Sequence, residues 1–325
     1  MKKICTFLSL LIALLLSGCL TTKKDVVIPL SKEEQMTLLK KVIPPQTFGF
    51  DVYKVPSGIS YRGHTRLRPL HVATEDIPKN GFPIVKTRGM FRREKLTLLL
   101  DTHSNVSWVE VSTFQKFDGN FLGFDNKTVH YTGTYDTGKI NAFAGVIRQI
   151  RISNLFMENN PFYVRMARGS LGPQNRGIKE PHIDAVLGYD NLQSFEFFQI
   201  DPFERTIQFS ATIPYVANDD LLLTKATIVP VKHFGLAVQG SINGVSTPIL
   251  LDFAGDLSFS RGGANTQTTK LVTIEDLVFI DAPTIVIPGF NVPPRIGNRI
   301  LKNYIVTVCP KKGIVYFERP PKLKK

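Results

Sequence analysis

Two aspartates close apolar runs of the chain, and both could do acid–base chemistry. Asp101 follows the run LLL at 98–100, and Asp252 follows ILL at 249–251. A carboxylate at the end of an apolar strand is costly unless it is hydrogen-bonded or used. Two such groups brought together could serve as general acid and general base. Taken singly, each aspartate is explained as a strand-end residue that caps a turn.

The surroundings of these aspartates repeat along the chain. In each half, the aspartate is followed by small or polar residues and then by an apolar strand. Further on come an apolar–glycine turn, a short helix and a hairpin, so that segment 184–209 aligns with segment 294–317. In this alignment Gly188 meets Gly297, and the first half carries an insertion between aspartate and glycine. An internal repeat of this length predicts two related lobes.

The elements that must position the aspartates are short strands. The relevant segments are apolar or alternate in polarity and are separated by turn residues, which is typical of β structure. Ten of them are predicted as strands: KLTLLLD, GVIRQIRI, PFYVRM, FEFFQI, RTIQFS, ATIVPV, TPILLD, TIVIP, NYIVTV and GIVYFE.

With this repeat, the sequence resembles the two-lobed aspartic peptidases of the pepsin and retropepsin superfamily. Four segments carry the resemblance: LLLDTHSNVSWV (98–109), TYDTGKI (134–140), ILLDFAGDLSFS (249–260) and RIGNRILKNYIVTVCPKKGIVYF (295–317). The resemblance covers about residues 80–318. It implies a mainly β fold of two acid-protease-like β-barrel lobes, with one aspartate-bearing loop in each lobe.

The resemblance also implies a reaction. Asp101 and Asp252 would be catalytic and would share one proton, because two adjacent carboxyl groups cannot both ionise cheaply. The ionised group takes a proton from water, and the protonated group polarises the scissile carbonyl of a peptide or protein substrate. No cofactor and no metal are expected. Tyr135 would be the tyrosine of the flap that closes over substrate; the alternative is a hairpin tyrosine with its hydroxyl in water.

The loops depart from the family's Asp-Thr-Gly-Ser/Thr/Ala pattern. The first loop keeps Thr102 and Ser104 but has His103 in place of the glycine. That side chain either adds bulk and a possible cation at the pair, which would disfavour the shared proton, or points away.

The second loop departs further from the pattern. Phe253 replaces the threonine that grips the opposite loop, Ala254 replaces the glycine, and Gly255 replaces the supporting hydroxyl residue. The second loop therefore lacks the side chains that would support its aspartate by hydrogen bonds, and only the first loop keeps them.

Two hypotheses follow from these residues. The first is an aspartic endopeptidase that hydrolyses peptide bonds through Asp101 and Asp252. The second is a catalytically inactive, peptidase-like protein that binds a peptide or an envelope component, since fold does not imply function. Both retained aspartates favour the first hypothesis, and the altered loops favour the second.

The N-terminus resembles the signal of a bacterial lipoprotein. Lys2 and Lys3 precede an apolar run at 4–16, and the lipobox LSGC ends on Cys19. This predicts a signal peptide at 1–18, acylation of Cys19 and attachment to a membrane of the bacterial cell envelope through that lipid. Leu20 after the cysteine favours the outer membrane if the cell has one.

The remaining chain divides into a tether and two lobes. Residues 19–47 are predicted to form the lipid-anchored tether, at 19–30, and a short helix, whose capping box is Ser31 with Glu34. An apolar stripe of Met36, Leu39 and Val42 or Ile43 would pack on the body. The first lobe is assigned to 48–215 and the second lobe to 216–325.

Charge and cysteine count exclude several classes. The formal charge of +13 fits a solvated basic surface or contact with anionic lipid or cell-wall phosphate. An exported, anchored chain without a nucleic-acid motif predicts no nucleic-acid partner. Cys5 would leave with the signal peptide and Cys19 would carry the lipid. Cys309 is then the one remaining cysteine, so no disulfide is expected within the mature fold. Two lobes in one chain make a monomer sufficient.

Overall fold

The computed structural model describes most of the chain. The described residues are 27–40, 42–55, 58–68, 72–79, 81–89, 95–124, 127–128, 130–134, 139–171, 182–263, 267–287 and 293–321. The predicted signal peptide at 1–18, the predicted lipidation site Cys19 and the predicted flap residue Tyr135 all lie outside these ranges.

The described chain is mainly β structure. Its strands up to the end of the predicted first lobe are β1 (Ile28–Pro29), β2 (Asp51–Val55), β3 (Gly58–Arg62), β4 (Arg66–Arg68), β5 (Ala73–Asp76), β6 (Ile84–Gly89), β7 (Lys95–Asp101), β8 (Trp108–Glu110), β9 (Asn120–Phe121), β10 (Gly123–Phe124), β11 (Lys127–Thr128), β12 (His130–Thr134), β13 (Lys139–Ile152), β14 (Leu155–Arg165), β15 (Ala167–Arg168), β16 (Ala185–Gly188), β17 (Phe197–Asp201) and β18 (Thr206–Ser210).

The predicted second lobe has its own strands, and both lobes contain short helices. The strands are β19 (Leu222–Thr227), β20 (Ala237–Ile242), β21 (Val245–Asp252), β22 (Phe259–Gly262), β23 (Thr268–Ile274), β24 (Leu277–Ile287), β25 (Arg295–Gly297), β26 (Ile305–Cys309) and β27 (Ile314–Glu318). The helices are α1 (Lys32–Leu38), α2 (Val111–Lys116), α3 (Tyr189–Leu192) and α4 (Asn298–Leu301), with 3-10 turns at Pro45–Phe48 and Pro310–Lys312.

The two halves build equivalent rings of strands. In the second lobe, β20-β21-β25-β22-β24-β23 close into a barrel. In the first lobe, β13-β6-β7-β16-β8-β14 follow one another in a nine-stranded sheet, and an additional β13–β14 pairing joins the ends of this path. The strand that carries each aspartate therefore occupies the same place in its ring, next to the strand that ends on the repeated glycine.

One sheet joins the two lobes. Its order is β19-β27-β26-β17-β18-β5, so the last hairpin of each lobe contributes two strands. The lobes meet where β17 pairs antiparallel with β26, with Phe198 opposite Val308. The aligned segments of the sequence repeat thus lie side by side in the molecule, as antiparallel neighbours in a single sheet.

Strand β7 is covered on both faces at its aspartate end. Leu96, Leu98 and Leu100 belong to the large apolar core, whereas Leu99 packs in a second cluster with Trp108. Burial on both faces explains why the strand reads as a continuous apolar run rather than as an alternating one.

The N-terminal helix is confirmed, but its packing differs from the prediction. Ser31 and Glu34 form both hydrogen bonds of a capping box. Leu39 and Val42 pack against the core as predicted, but Met36 is 70% exposed, and Leu38 packs against the core in its place. Among the described residues, no helix is long and apolar enough to cross a membrane.

Two further expectations are corrected. The tether was assigned up to residue 30, but β1 pairs with β15 and Leu30 is buried in the core, so the chain is docked from residue 28 onward. The segment ATIVPV was expected to be a strand throughout. Strand β19 ends at Thr227, and the chain then changes partner: Ile228 forms an isolated bridge with Val238, and the Val229 N–H donates to the Ala237 carbonyl.

Candidate functional site

Asp101 lies at the end of β7, and strand β16 passes close to the loop that follows this aspartate. Strand β16 runs parallel to β7, and Gly188 lies opposite Asp101. A Cβ atom added to Gly188 would lie 2.3 Å from the carbonyl oxygen of Val106. No side chain fits there, so the glycine is required by the close approach of the loop that follows Asp101.

Asp252 has the same setting in the second lobe. Strand β25 runs parallel to β21, with Gly297 opposite Asp252. A Cβ atom on Gly297 would lie 2.4 Å from the carbonyl oxygen of Leu257. The repeat therefore extends to the closest backbone contacts around each aspartate.

Thr102 joins the two aspartate-bearing loops. Its hydroxyl donates to the carbonyl oxygen of Leu251 at 2.5 Å and accepts from the Phe253 N–H at 3.4 Å. The Leu236 N–H donates to the Thr102 carbonyl at 2.7 Å, which adds a third hydrogen bond from Thr102 to the second lobe. Thr102 directly follows Asp101, and its buried hydroxyl contacts the two residues that flank Asp252 in the sequence.

The first loop holds the Asp101 carboxylate through its backbone. Oδ1 of Asp101 accepts from the N–H groups of His103, at 3.0 Å, and Ser104, at 3.2 Å. The hydroxyl of Ser104 donates to the carbonyl oxygen of Val106 at 2.7 Å. The ring of His103 lies 5.9 Å from the ring of Phe234, so this side chain packs against the second lobe at the lobe junction.

The second loop holds Asp252 differently, through an arginine. Nη1 of Arg295 donates to Oδ2 of Asp252 at 3.1 Å, and Nε of Arg295 donates to the Ser260 hydroxyl at 2.9 Å. The exposed fraction of the side chain is 3% for Asp252 and 17% for Arg295. This is an almost buried ion pair inside the candidate site.

Gly255 leaves room for that carboxylate. A Cβ atom at this position would lie 2.1 Å from Oδ2 of Asp252. The hydroxyl residue of the family pattern therefore does not fit this loop, and the Arg295 guanidinium takes up the role of supporting the aspartate.

The other replaced side chains of the second loop are packed away in apolar clusters. Phe253 is 1% exposed and belongs to the large core. Ala254 is 3% exposed and packs in the cluster of Trp108 and Leu99 from the first lobe. Both residues thus contribute to the apolar packing of the lobes and their junction.

A polar network lies under the first loop. The Ser107 hydroxyl donates to Oδ1 of Asp190 at 2.6 Å and accepts from the Gly188 N–H at 2.9 Å and from Nδ2 of Asn191 at 2.6 Å. Burial raises the pKa of Asp190 to about 6, although the hydrogen bonds from Ser107 and Asn191 act in the opposite direction. This network fixes α3 against the loop that carries Asp101.

Arg295 is the site residue that sequence reasoning missed. In the alignment of the repeat, the register that pairs Gly297 with Gly188 sets Arg295 opposite Val186, which is buried in the first lobe. A charged residue at a repeat position that is apolar in the other half was the available signal.

The predicted flap falls on undescribed residues, but the strands on either side of it are described. Strands β12 and β13 pair antiparallel up to Thr134 and Lys139. Within the described ranges, no group of three or more metal-binding side chains is present. No protein-family model matches the chain, and no curated protein matches its sequence.

Proposed function

We propose that this protein is an aspartic endopeptidase with an acid-protease-like fold, and that Asp101 and Asp252 share the acid and base roles. The observation that carries the proposal is the Thr102 bridge, whose hydroxyl contacts Leu251 and Phe253 on either side of Asp252. Because Thr102 directly follows Asp101, the bridge brings the two strand ends together at the lobe junction.

The ion pair suggests how the roles divide. Pairing with Arg295 requires Asp252 as a carboxylate. Asp252 would then accept the proton of the attacking water, and Asp101 would carry the proton that polarises the scissile carbonyl. The Asp101 carboxyl group, 8% exposed and held by two backbone N–H groups, is positioned by its own loop for this role.

The proposal includes an envelope location. Acylated Cys19 would attach the chain to a membrane, and the extended substrate would lie between the lobes under the hairpin of β12 and β13. A peptide bound in this way pairs with strand edges through its main chain.

A second function, peptide binding without turnover, is favoured by the same ion pair. A guanidinium on Oδ2 of Asp252 competes with the proton that two catalytic carboxyl groups would share. In this case the groove and its aspartates recognise a peptide or an envelope component and leave it intact.

The deciding experiment is peptide cleavage by the full-length protein in detergent. A mixed peptide pool is incubated from acidic to neutral pH and analysed by mass spectrometry, with Asp101→Asn and Asp252→Asn as test variants. Asp256→Asn is the matched control, because this carboxylate lies in the same loop but pairs with the exposed Arg299. We expect cleavage by the wild type and the control and none by the two test variants.

The other outcomes separate the two functions. Cleavage that survives in both test variants contradicts an aspartic pair. A folded wild type that cleaves nothing, but retains peptides whose binding is weakened by Asp101→Asn or Asp252→Asn, supports binding without turnover.

A further inference from the structure

A basic pocket lies on the first lobe, at the far end of the strand that carries Asp101. Its volume is about 320 Å³, and its lining residues are Glu75, Lys86, Thr87, Lys95, Arg151 and Ser153. Lys95 begins β7 and Asp101 ends it, so the pocket and the aspartate are separated by about 20 Å along the strand.

The strand register gathers the cations of this pocket. Arg88 of β6 pairs with Lys95 of β7 on one side and with Arg151 of β13 on the other. Lys86 precedes Arg88 by two residues, which is the spacing for the same face of a strand. The backbone register therefore places Lys86, Lys95 and Arg151 on one face of three neighbouring strands.

The positive charge of the pocket is not neutralised by ion pairs in the part of the chain that the structure describes. None of the ion pairs found there involves Lys86, Lys95 or Arg151. Among the described residues, Glu75 is the one carboxyl group in the lining. Burial, followed by the charge of Asp76, raises the pKa of this group, while Lys95 and the Ser153 N–H act in the opposite direction.

One cation of the pocket is held in place. Nε of Arg151 donates to the Ser153 carbonyl at 2.6 Å, and its guanidinium lies 5.3 Å from the centre of the Phe156 ring. A planar guanidinium fixed through Nε still offers the donors on its two Nη atoms, which suit the paired oxygens of a phosphate or carboxylate.

We propose that this pocket binds a phosphate group, either on a small phosphorylated molecule or on a lipid headgroup. Three cations against one carboxyl group favour an anion of charge −1 to −2. The volume exceeds that of a bare ion and accommodates a phosphate with a short carbon substituent. The site is independent of the aspartates, so its failure in a test leaves the proposed endopeptidase untouched.

The test measures binding of glycerol 1-phosphate to the full-length protein by isothermal titration calorimetry at low salt. The test variant carries Lys86→Gln, Lys95→Gln and Arg151→Gln. The matched control carries Lys225→Gln, Lys270→Gln and Lys302→Gln, which remove the same charge from exposed positions of the second lobe. We expect affinity to fall by at least about tenfold in the test variant, as for the loss of one charge-assisted hydrogen bond, and to change little in the control.

A second arm distinguishes the source of the phosphate. Binding to vesicles of phosphatidylcholine is compared with binding to vesicles that also contain phosphatidylglycerol. A preference for the anionic vesicles that disappears only in the test variant identifies a lipid headgroup, and glycerol 1-phosphate binding without that preference identifies a soluble ligand.

Glu75→Gln is a variant that should raise the affinity for the anion rather than lower it. Removal of the Glu75 carboxyl group from the lining should strengthen binding of whichever ligand the wild type takes. The proposal is overturned if the wild type binds neither ligand, or if the test and control variants lose affinity equally.

Discussion

Arg295 donates from Nη1 to Oδ2 of Asp252 across 3.1 Å, and both side chains are almost enclosed. This pair holds the Asp252 carboxylate in the second loop. It also makes the two halves of the site unequal, because Asp101 accepts from its own backbone whereas Asp252 is held by a cation from β25. The inequality has consequences for stability that can be measured.

Arg295→Met should destabilise the protein strongly. Removing one partner of a buried ion pair leaves the other charge uncompensated, which costs about 3–5 kcal/mol. Arg299→Met is the matched control, because the Arg299–Asp256 pair lies nearby but its arginine is 58% exposed. Urea unfolding should show a large fall in the free energy of unfolding for Arg295→Met and little change for the control. Equal effects would mean that the Asp252 pair is no more buried in solution than the exposed one.

Thr102→Val should loosen the junction between the lobes. Valine keeps the shape of threonine but leaves the buried carbonyl of Leu251 without its donor, which costs about 1–3 kcal/mol. Thr102→Ser keeps the hydroxyl and should stay close to the wild type. Chemical denaturation of both variants tests this, and a valine variant as stable as the wild type would show that the Thr102 hydroxyl contributes nothing to the junction.

The repeat made much of the site predictable from the sequence. Strand ends at Asp101 and Asp252 and glycine crossings at Gly188 and Gly297 are local patterns, and all four lie in equivalent places. The Arg295 pair was not predictable in the same way, because it joins residues 43 apart and depends on the direction of a long side chain. The prediction that Met36 packs on the body was wrong for a related reason. Several apolar stripes fit a short helix, and tertiary packing selects one of them.

Gly255→Ser should weaken the protein, although it restores the residue type that the family pattern has at this place. The new Cβ atom would lie 2.1 Å from Oδ2 of Asp252, so the carboxylate or the loop must move. Overpacking of this kind costs about 1–3 kcal/mol. Thermal unfolding and peptide cleavage of the variant are the measurements. Unchanged stability would show that the carboxylate of Asp252 can leave its position beside Arg295 at no cost.

Asp190 should make stability depend on pH in the direction opposite to an ion-paired aspartate. Burial raises its pKa from 3.8 to about 6, so the folded state binds this proton more tightly than the unfolded state. The contribution of Asp190 to the free energy of unfolding is therefore greatest below pH 3.8, falls as the pH rises towards about 6, and is constant above that.

Asp190→Asn should remove this fall, and Asp219→Asn, an exposed aspartate of the second lobe, should retain it. The measurement is urea unfolding of the wild type and both variants at several pH values from 4 to 7, with the difference between each variant and the wild type plotted against pH. Against the wild type, Asp190→Asn should gain relative stability as the pH rises, because asparagine carries no charge into the Ser107 network. A difference that is flat for Asp190→Asn would mean that Asp190 titrates alike in the folded and unfolded states.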